Sequence, residues 1–196
     1  MTGVAVETLA GPEAAKVIED LARLRVTVFR EWPYLYEGSL DYERRYLAKY
    51  VGLERSTIVI ARADGEIVGA STALPLASAE AELQAPFVAA GHDPADFYYY
   101  GESVLLAPWR RRGIGVAFFQ AREARARELG YRMGTFCAVV RPDNHPARPA
   151  DYVPLDAFWT KRGYARVPGL TASFGWRDVG DAGPTAKPMV FWTKAL

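Results

Sequence analysis

Val104-Leu105-Leu106-Ala107-Pro108-Trp109-Arg110-Arg111-Arg112-Gly113-Ile114-Gly115-Val116-Ala117 runs from an apolar strand, through a turn carrying three arginines, into an amphipathic helix. A helix start leaves backbone N–H groups without intrahelical partners and carries the positive end of the helix dipole. Gly113 and Gly115 let an anion approach that backbone closely, and Arg110, Arg111 and Arg112 add positive charge. The stretch predicts a ligand bearing phosphate or pyrophosphate, held by the N–H groups of Arg111 to Val116. A dinucleotide fingerprint fails because Phe118 stands where its third glycine belongs, and no G-x-x-x-x-G-K-[ST] run exists.

Working outward, residues 113–129 read as a helix with Ile114, Ala117, Phe118, Ala121 and Ala124 on its inner face. Glu123 and Arg127 fall on its outer face, and Gly130 ends it. The preceding strand spans Phe97 to Leu106 and carries Glu102 after Gly101. Further upstream, a strand from Val4 to Leu9 precedes a helix from Ala14 to Arg30, and an aromatic stretch runs from Trp32 to Tyr50. A second helix starts near Asp41, with Glu43, Arg44 and Arg45 among its charges. Strands at Ser56–Arg62 and Ile67–Leu74 form a hairpin, and a helix covers residues 79–90. Downstream come a strand (Met133 to Val140), a Pro-rich loop (Arg141 to Pro154), a short helix (Leu155 to Arg162) and strands at Ala172–Arg177 and Met189–Lys194. The order β-α-α-β-β-α-β-α-β-α-β-β describes a mixed α/β sheet, and no linker divides residues 1–196 into more than a single domain.

Half of the 196 residues are hydrophobic, enough for a real core. The 24 Lys and Arg against 23 Asp and Glu leave a formal charge of +1, which disfavours nucleic acid as the partner. One cysteine and two histidines exclude disulfides and make a metal centre unexpected. Neither a signal segment nor a membrane span is expected, so the reading is cytoplasmic, with no membrane partner.

Arg110-x-x-Gly113-x-Gly115, placed after a strand ending V-x-L-x-P, resembles the coenzyme A signature of the GCN5-related N-acetyltransferase (GNAT) superfamily. Arg141-Pro142-Asp143-Asn144 and Ala157-Phe158-Trp159-Thr160-Lys161-Arg162-Gly163-Tyr164 are similar to later family segments. The resemblance implies a GNAT fold: a mixed, mostly antiparallel sheet of about 6–7 strands flanked by helices. It also implies that strands 98–106 and 133–140 splay apart. Acetyl-CoA becomes the cosubstrate, with no metal; Arg110, Arg111, Arg112, Gly113, Ile114, Gly115 and Val116 surround its pyrophosphate. Val104, Leu105 and Leu106 bond the pantetheine arm through main chain, and Asn144 lies beside that arm. The implied reaction is direct acetyl transfer to an amine, without a covalent enzyme intermediate. Two positions depart from the family: Trp159 replaces a tyrosine that many relatives use on the leaving thiolate, and Val139 stands near where some carry a glutamate.

Glu102 is the expected general base, as a carboxylate in an otherwise apolar strand. Tyr152 is placed with it as catalytic, and Tyr99 and Tyr100 are further phenols for the acid role. Cys137 reads as a buried, inert thiol and His145 as a loop residue. Trp32, Tyr34, Tyr36, Glu37 and Asp41, with Asp151 from the loop, give an aromatic and acidic rim suited to a small cationic amine. Arg141 and Arg148 argue instead for an acceptor carboxylate, hence an amino acid. The alternatives are a non-catalytic acyl-CoA-binding sensor, or an acetyltransferase of protein N-termini or lysines. The partner set is a small-molecule amine, and a homodimer is compatible with it.

Overall fold

The computed structural model describes residues 3–196. Strands β1 (Ala5–Leu9), β2 (Thr57–Ala63), β3 (Glu66–Pro75), β4 (Phe97–Leu105), β5 (Met133–Val139), β6 (Ala165–Trp176) and β7 (Thr185–Ala195) form one sheet, ordered β1-β2-β3-β4-β5-β7-β6. Only β4 and β5 run parallel, so the sheet is mixed and mostly antiparallel, as expected. Helices α1 (Ile18–Phe29), α2 (Leu40–Val51), α3 (Ala81–Ala89), α4 (Ile114–Glu128) and α5 (Asp156–Thr160) flank it.

The continuous apolar run of β2 follows from burial on both faces. Ile58 and Ile60 pack with Leu21 and Leu24 of α1 and Leu47 and Tyr50 of α2. Val59 and Ala61 pack with Ile114 and Phe118 of α4. Beyond them on the α4 side, Tyr98, Tyr100, Phe119, Phe136, Tyr164 and Trp192 form an aromatic cluster.

Several expectations shift. The helix expected over Ala14–Arg30 is a 3-10 turn (Gly11–Val17) and then α1, separated at Val17 (φ −118°, ψ 0°). Strand β6 begins at Ala165 rather than Ala172, since a register shift between Arg166 and Thr171 absorbs Pro168-Gly169 without ending the pairing with β7. Pro188 falls inside β7, where its carbonyl accepts from Val140 N–H, so its missing donor faces the chain just beyond the end of β5 rather than β6. On α4, Glu123 is buried rather than outward, because Lys194 and the Tyr164 hydroxyl bond its carboxylate.

The decisive irregularity is in β4. Ser71 pairs with Ser103 and Ala73 with Tyr100, so β4 spends three steps where β3 spends two. That β-bulge at Gly101–Glu102 reverses the alternation. Tyr98 and Tyr100 pack with the α4 cluster, whereas Glu102 reaches Arg25 of α1 and Val104 joins the α1–α2 cluster. Arg122 of α4, 1% exposed, closes the gap: its Nη1 donates to the Glu102 carbonyl (3.0 Å) and its Nη2 to Ser103 Oγ (2.9 Å). Gly101 is required there, since a Cβ would sit 2.6 Å from both the Tyr50 hydroxyl and Thr72 Oγ1. Gly101→Ala is expected to cost about 2 kcal/mol by overpacking. Thermal denaturation should read this as a Tm fall of roughly 4–8 °C.

Candidate active site

Strands β4 and β5 pair only through Phe97↔Met133, Tyr98↔Gly134 and Tyr99↔Thr135. Past that point β4 stays with β3 as far as Leu105, and β5 stays with β7 as far as Val139. The expected splay is therefore present, with Tyr99 Oη 3.2 Å from Cys137 Sγ at its closed end. The open edge of β4 is narrower than the sequence reading has it. Leu106 N–H donates to the Val68 carbonyl (3.0 Å), and alternation turns Val104 main chain toward β3 as well. Of Val104, Leu105 and Leu106, only Leu105 turns its main chain into the split, and its carbonyl accepts from Arg110 Nε (3.0 Å).

The turn into α4 is left-handed at Arg111 (φ +63°) and at Gly113 (φ +82°). Among the described residues, the N–H groups of 111–115 have no hydrogen-bond partner, and no side chain caps α4. Val116 N–H departs from expectation: it donates to the Gly113 carbonyl at 3.0 Å. Ile114 contributes only main chain, its side chain being buried. A Cβ at Gly113 would meet nothing within 4 Å, and one at Gly115 would touch the Phe158 ring at 3.4 Å. Arg110 is exposed like its neighbours, but Glu31 holds its Nη1 at 2.7 Å and the Leu105 carbonyl its Nε. Arg111 and Arg112 are exposed, the latter over the Trp109 ring at 4.9 Å. Unpaired N–H groups with two free guanidinium groups fit a pyrophosphate. Asn144 is exposed in the loop after β5.

Glu102 does not sit in the apolar surroundings expected of it. Its Oε2 lies 2.6 Å from Arg25 Nη1, an ion pair outside hydrogen-bond geometry, and Arg25 Nε donates to Glu43 of α2. Arg25 and Glu43 escaped the sequence reading. Their signal is a charge on an apolar stripe: Arg25 beside Leu21 and Leu24, and Glu43, read as solvated, between Leu40 and Leu47. Burial of Arg25 alone would lower its value, but the Glu102 and Glu43 carboxylates outweigh that and keep the guanidinium charged.

The aromatic part of the expected rim assembles, whereas its acidic members Glu37 and Asp41 are paired with Arg30 and Arg44. Trp32 lies 5.1 Å from His145 and 5.8 Å from Tyr152, between ring centroids. Burial raises the Tyr34 phenol, reinforced by Cys137 and Glu102, and it raises Tyr152, reinforced by Asp156. It also pushes the Cys137 thiol up to about 11. Tyr100 lies on the opposite face, packed on Phe119 and Tyr164, which removes it from the acid candidates. Trp159 packs on Phe136 and Trp192 as a core aromatic.

Neither loop arginine is free for an acceptor carboxylate. Arg148 pairs with Asp143. Arg141 is bidentate to Asp178 (2.6 and 2.9 Å) and donates to the Pro33 and Tyr34 carbonyls, fastening the rim to the turn between β6 and β7. A surface cavity of about 420 Å³, bordered by Arg55, Pro75, Asp96, Tyr131 and Arg132, lies at the other ends of β4 and β5.

A model of the acetyltransferase (GNAT) family matches residues 22–151. No curated protein matches the sequence. Among solved structures, a polyamine N-acetyltransferase from Drosophila melanogaster that forms N-acetylagmatine is similar at TM-score 0.62 and 14% identity, covering 99% of this chain and 100% of that one. Ribosomal-protein-alanine N-acetyltransferase from Brucella melitensis gives 0.61 at 14% identity, covering 98% and 99%. PaiA N-acetyltransferase from Thermoplasma acidophilum, in complex with coenzyme A, gives 0.54 at 13% identity, covering 99% of each chain. At such identities the likeness is one of fold.

Burial pushes the Asp178 carboxyl up, but hydrogen bonds and charge from Arg141 and Lys187 outweigh it and hold the group below its ordinary range. A depressed carboxyl stabilises the fold above the unfolded value, and that contribution is lost as pH falls through the folded one. Melting temperature should therefore drop as pH falls below about 4. Arg141→Met should lose about 3 kcal/mol at neutral pH and show a shallower acid decline. Calorimetric melts between neutral and acid pH read both.

Proposed function

We propose, on the premise that the chain belongs to the GNAT acetyltransferase family, that residues 1–196 form one acyltransferase domain acetylating the amine of a small cationic acceptor. Acetyl-CoA supplies the activated thioester. The N–H groups of 111–115 with Arg111 and Arg112 hold the pyrophosphate, Leu105 main chain meets the pantetheine arm, and Asn144 lies beside it. Glu102 takes a proton from the acceptor ammonium, so that a neutral nitrogen attacks the acetyl carbon. The C–S bond breaks as the C–N bond forms, the electron pair leaves on sulfur, and the second nitrogen proton passes to the thiolate. Tyr152 lines the acceptor side. No residue forms a covalent link to the acetyl group, consistent with the high value of the Cys137 thiol.

One observation carries the choice of acceptor. Where the rim meets the split, the aromatic faces of Trp32, Tyr34 and Tyr152 stand with Glu102, while Arg141 and Arg148 are already paired with carboxylates. That set favours a cation and offers no partner to an acceptor carboxylate. Trp32 packed on the 145–154 loop narrows the approach, which favours a small molecule over a protein chain.

Release of free thiol from acetyl-CoA should be fastest with phenethylamine or spermidine, slower with glycine, and absent with a short peptide. Thiol release from none of these would favour a binding module instead. Gly113→Val should weaken acetyl-CoA binding at least tenfold in calorimetry, because a side chain would enter the phosphate cradle. Its folding cost is limited to the left-handed backbone, about 1–2 kcal/mol. Wild-type affinity in that variant would overturn the phosphate assignment.

A further inference from the structure

Helices α1 and α2 each bring one charge to the place where their apolar stripes meet the sheet. Arg25, Glu43 and Glu102 are 8%, 0% and 8% exposed. The guanidinium lies 4.2 Å from the Tyr46 ring centroid and 4.9 Å from that of Phe29, so it is fixed on two aromatic faces as well as by its carboxylates. Desolvating such groups costs several kcal/mol each, and well-packed apolar residues would stabilise the fold at least as well. The buried Arg25 and Arg122 guanidinium groups balance Glu43 and Glu102 in charge, and of the two carboxylates Glu102 belongs to the sheet. It is the one that the β4 bulge sets at the head of the split. Its Oε2 is buried against the guanidinium, which leaves Oε1 to face a ligand.

We propose that Arg25 and Glu43 are positioning residues for Glu102, a shared guanidinium from α1 and a counter-carboxylate from α2 that together fix its orientation and divide the positive charge it feels. The inference rests on the reading of Glu102 as the group that takes the acceptor's proton. In that step an N–H bond of the ammonium breaks and an O–H bond forms at Oε1. Arg25 bridges the two carboxylates, so its guanidinium is shared between Glu102 and Glu43 rather than held by Glu102 alone. The other groups facing Glu102 are Tyr34 from the loop after α1, Tyr46 and Tyr50 from α2, and Arg122 from α4, which binds the Glu102 carbonyl. Arg25 is the neighbour in direct ion-pair contact with the carboxylate and shares its guanidinium with Glu43, while the Arg122 charge acts on Glu102 from the other face.

The test is the pH profile of kcat/KM for the best-used amine in wild type, Glu43→Gln, Arg25→Lys, Arg25→Gln and Glu102→Gln, with acetyl-CoA affinity measured alongside. Glu43→Gln keeps the guanidinium and should fold. Its acidic limb should move to lower pH by about one unit, the effect of removing one close like charge, with acetyl-CoA affinity within twofold. The limb should vanish in Glu102→Gln, and Arg25→Lys should recover activity that Arg25→Gln lacks. A limb that stays in place or rises in Glu43→Gln would overturn the proposal, as would a limb surviving in Glu102→Gln. If wild type turned over no amine, the functional reading would fail by itself. Carbon-13 NMR of the unliganded protein would then decide the pairing, with the Glu102 carboxyl resonance assigned through Glu102→Gln. A midpoint displaced downward in Glu43→Gln supports the proposal, and an unmoved one sinks it.

Discussion

One extra residue in β4 governs the geometry of the site. A regular strand through Gly101 and Glu102 would put the glutamate on the same face as Tyr98 and Tyr100, among the α4 aromatics. The bulge sends it to the opposite face, under α1 and α2, and bends the strand at the point where pairing with β5 stops. A bulge leaves ladder groups unpaired, and an unpaired buried carbonyl is costly. Arg122 removes that cost by donating to the Glu102 carbonyl and Ser103 Oγ from the α4 side. The same helix begins with the unpaired N–H groups of the turn. One helix thus stabilises the bend at its middle and offers an anion site at its start.

The buried charges divide into two kinds by what they are bonded to. Arg122 and Arg141 are spent on backbone: the first on the bulge, the second on the Pro33 and Tyr34 carbonyls, with Asp178 balancing its charge. These guanidinium groups fasten irregular main chain that no ladder can satisfy, a task for which five fixed donors suit arginine better than lysine. Arg25 bonds no backbone group among the described residues and holds only carboxylates. Its burial therefore secures the placement of the Glu43 and Glu102 side chains rather than the path of the chain.

The order of strands and helices was legible because each period is set by burial on one or two faces: α1 repeats Leu21 and Leu24 at helical spacing, and β2 is apolar from Ile58 to Ala61. The strand-to-helix turn was legible from its two glycines at a helix start, and its N–H groups at 111–115 are unpaired among the described residues. What escaped were places where a charge or a breaker is satisfied from far along the chain. Arg25 and Glu43 are 18 positions apart, and Glu123 meets Lys194 across 71. The place of Arg25 and Glu43 on an apolar stripe is a local signal of burial, but nothing local names the partner that satisfies them. Gly101 reads as an ordinary strand glycine until Tyr50 and Thr72 are seen against it, and Pro168-Gly169 reads as a strand break until β7 pairs on both sides of it.

The leaving group settles how much the tyrosine missing at position 159 matters to the proposed reaction. A thiol ionises near 8.5 and an unperturbed phenol near 10. Burial moves the Tyr34, Tyr99 and Tyr152 phenols upward from there, so passing a proton from any of them to a thiolate is uphill. Such phenols stay protonated at neutral pH and serve as hydrogen-bond donors to developing negative charge rather than as acids. The proton that the thiolate finally takes is the one the nitrogen must shed on becoming an amide. A chain whose Trp159 is committed to the Phe136–Trp192 core therefore forgoes a donor, not a proton. In the proposed reaction the demand falls instead on the group that makes the attacking nitrogen neutral, the role proposed for Glu102, whose placement between α1, α2 and α4 rests on Arg25 and Arg122.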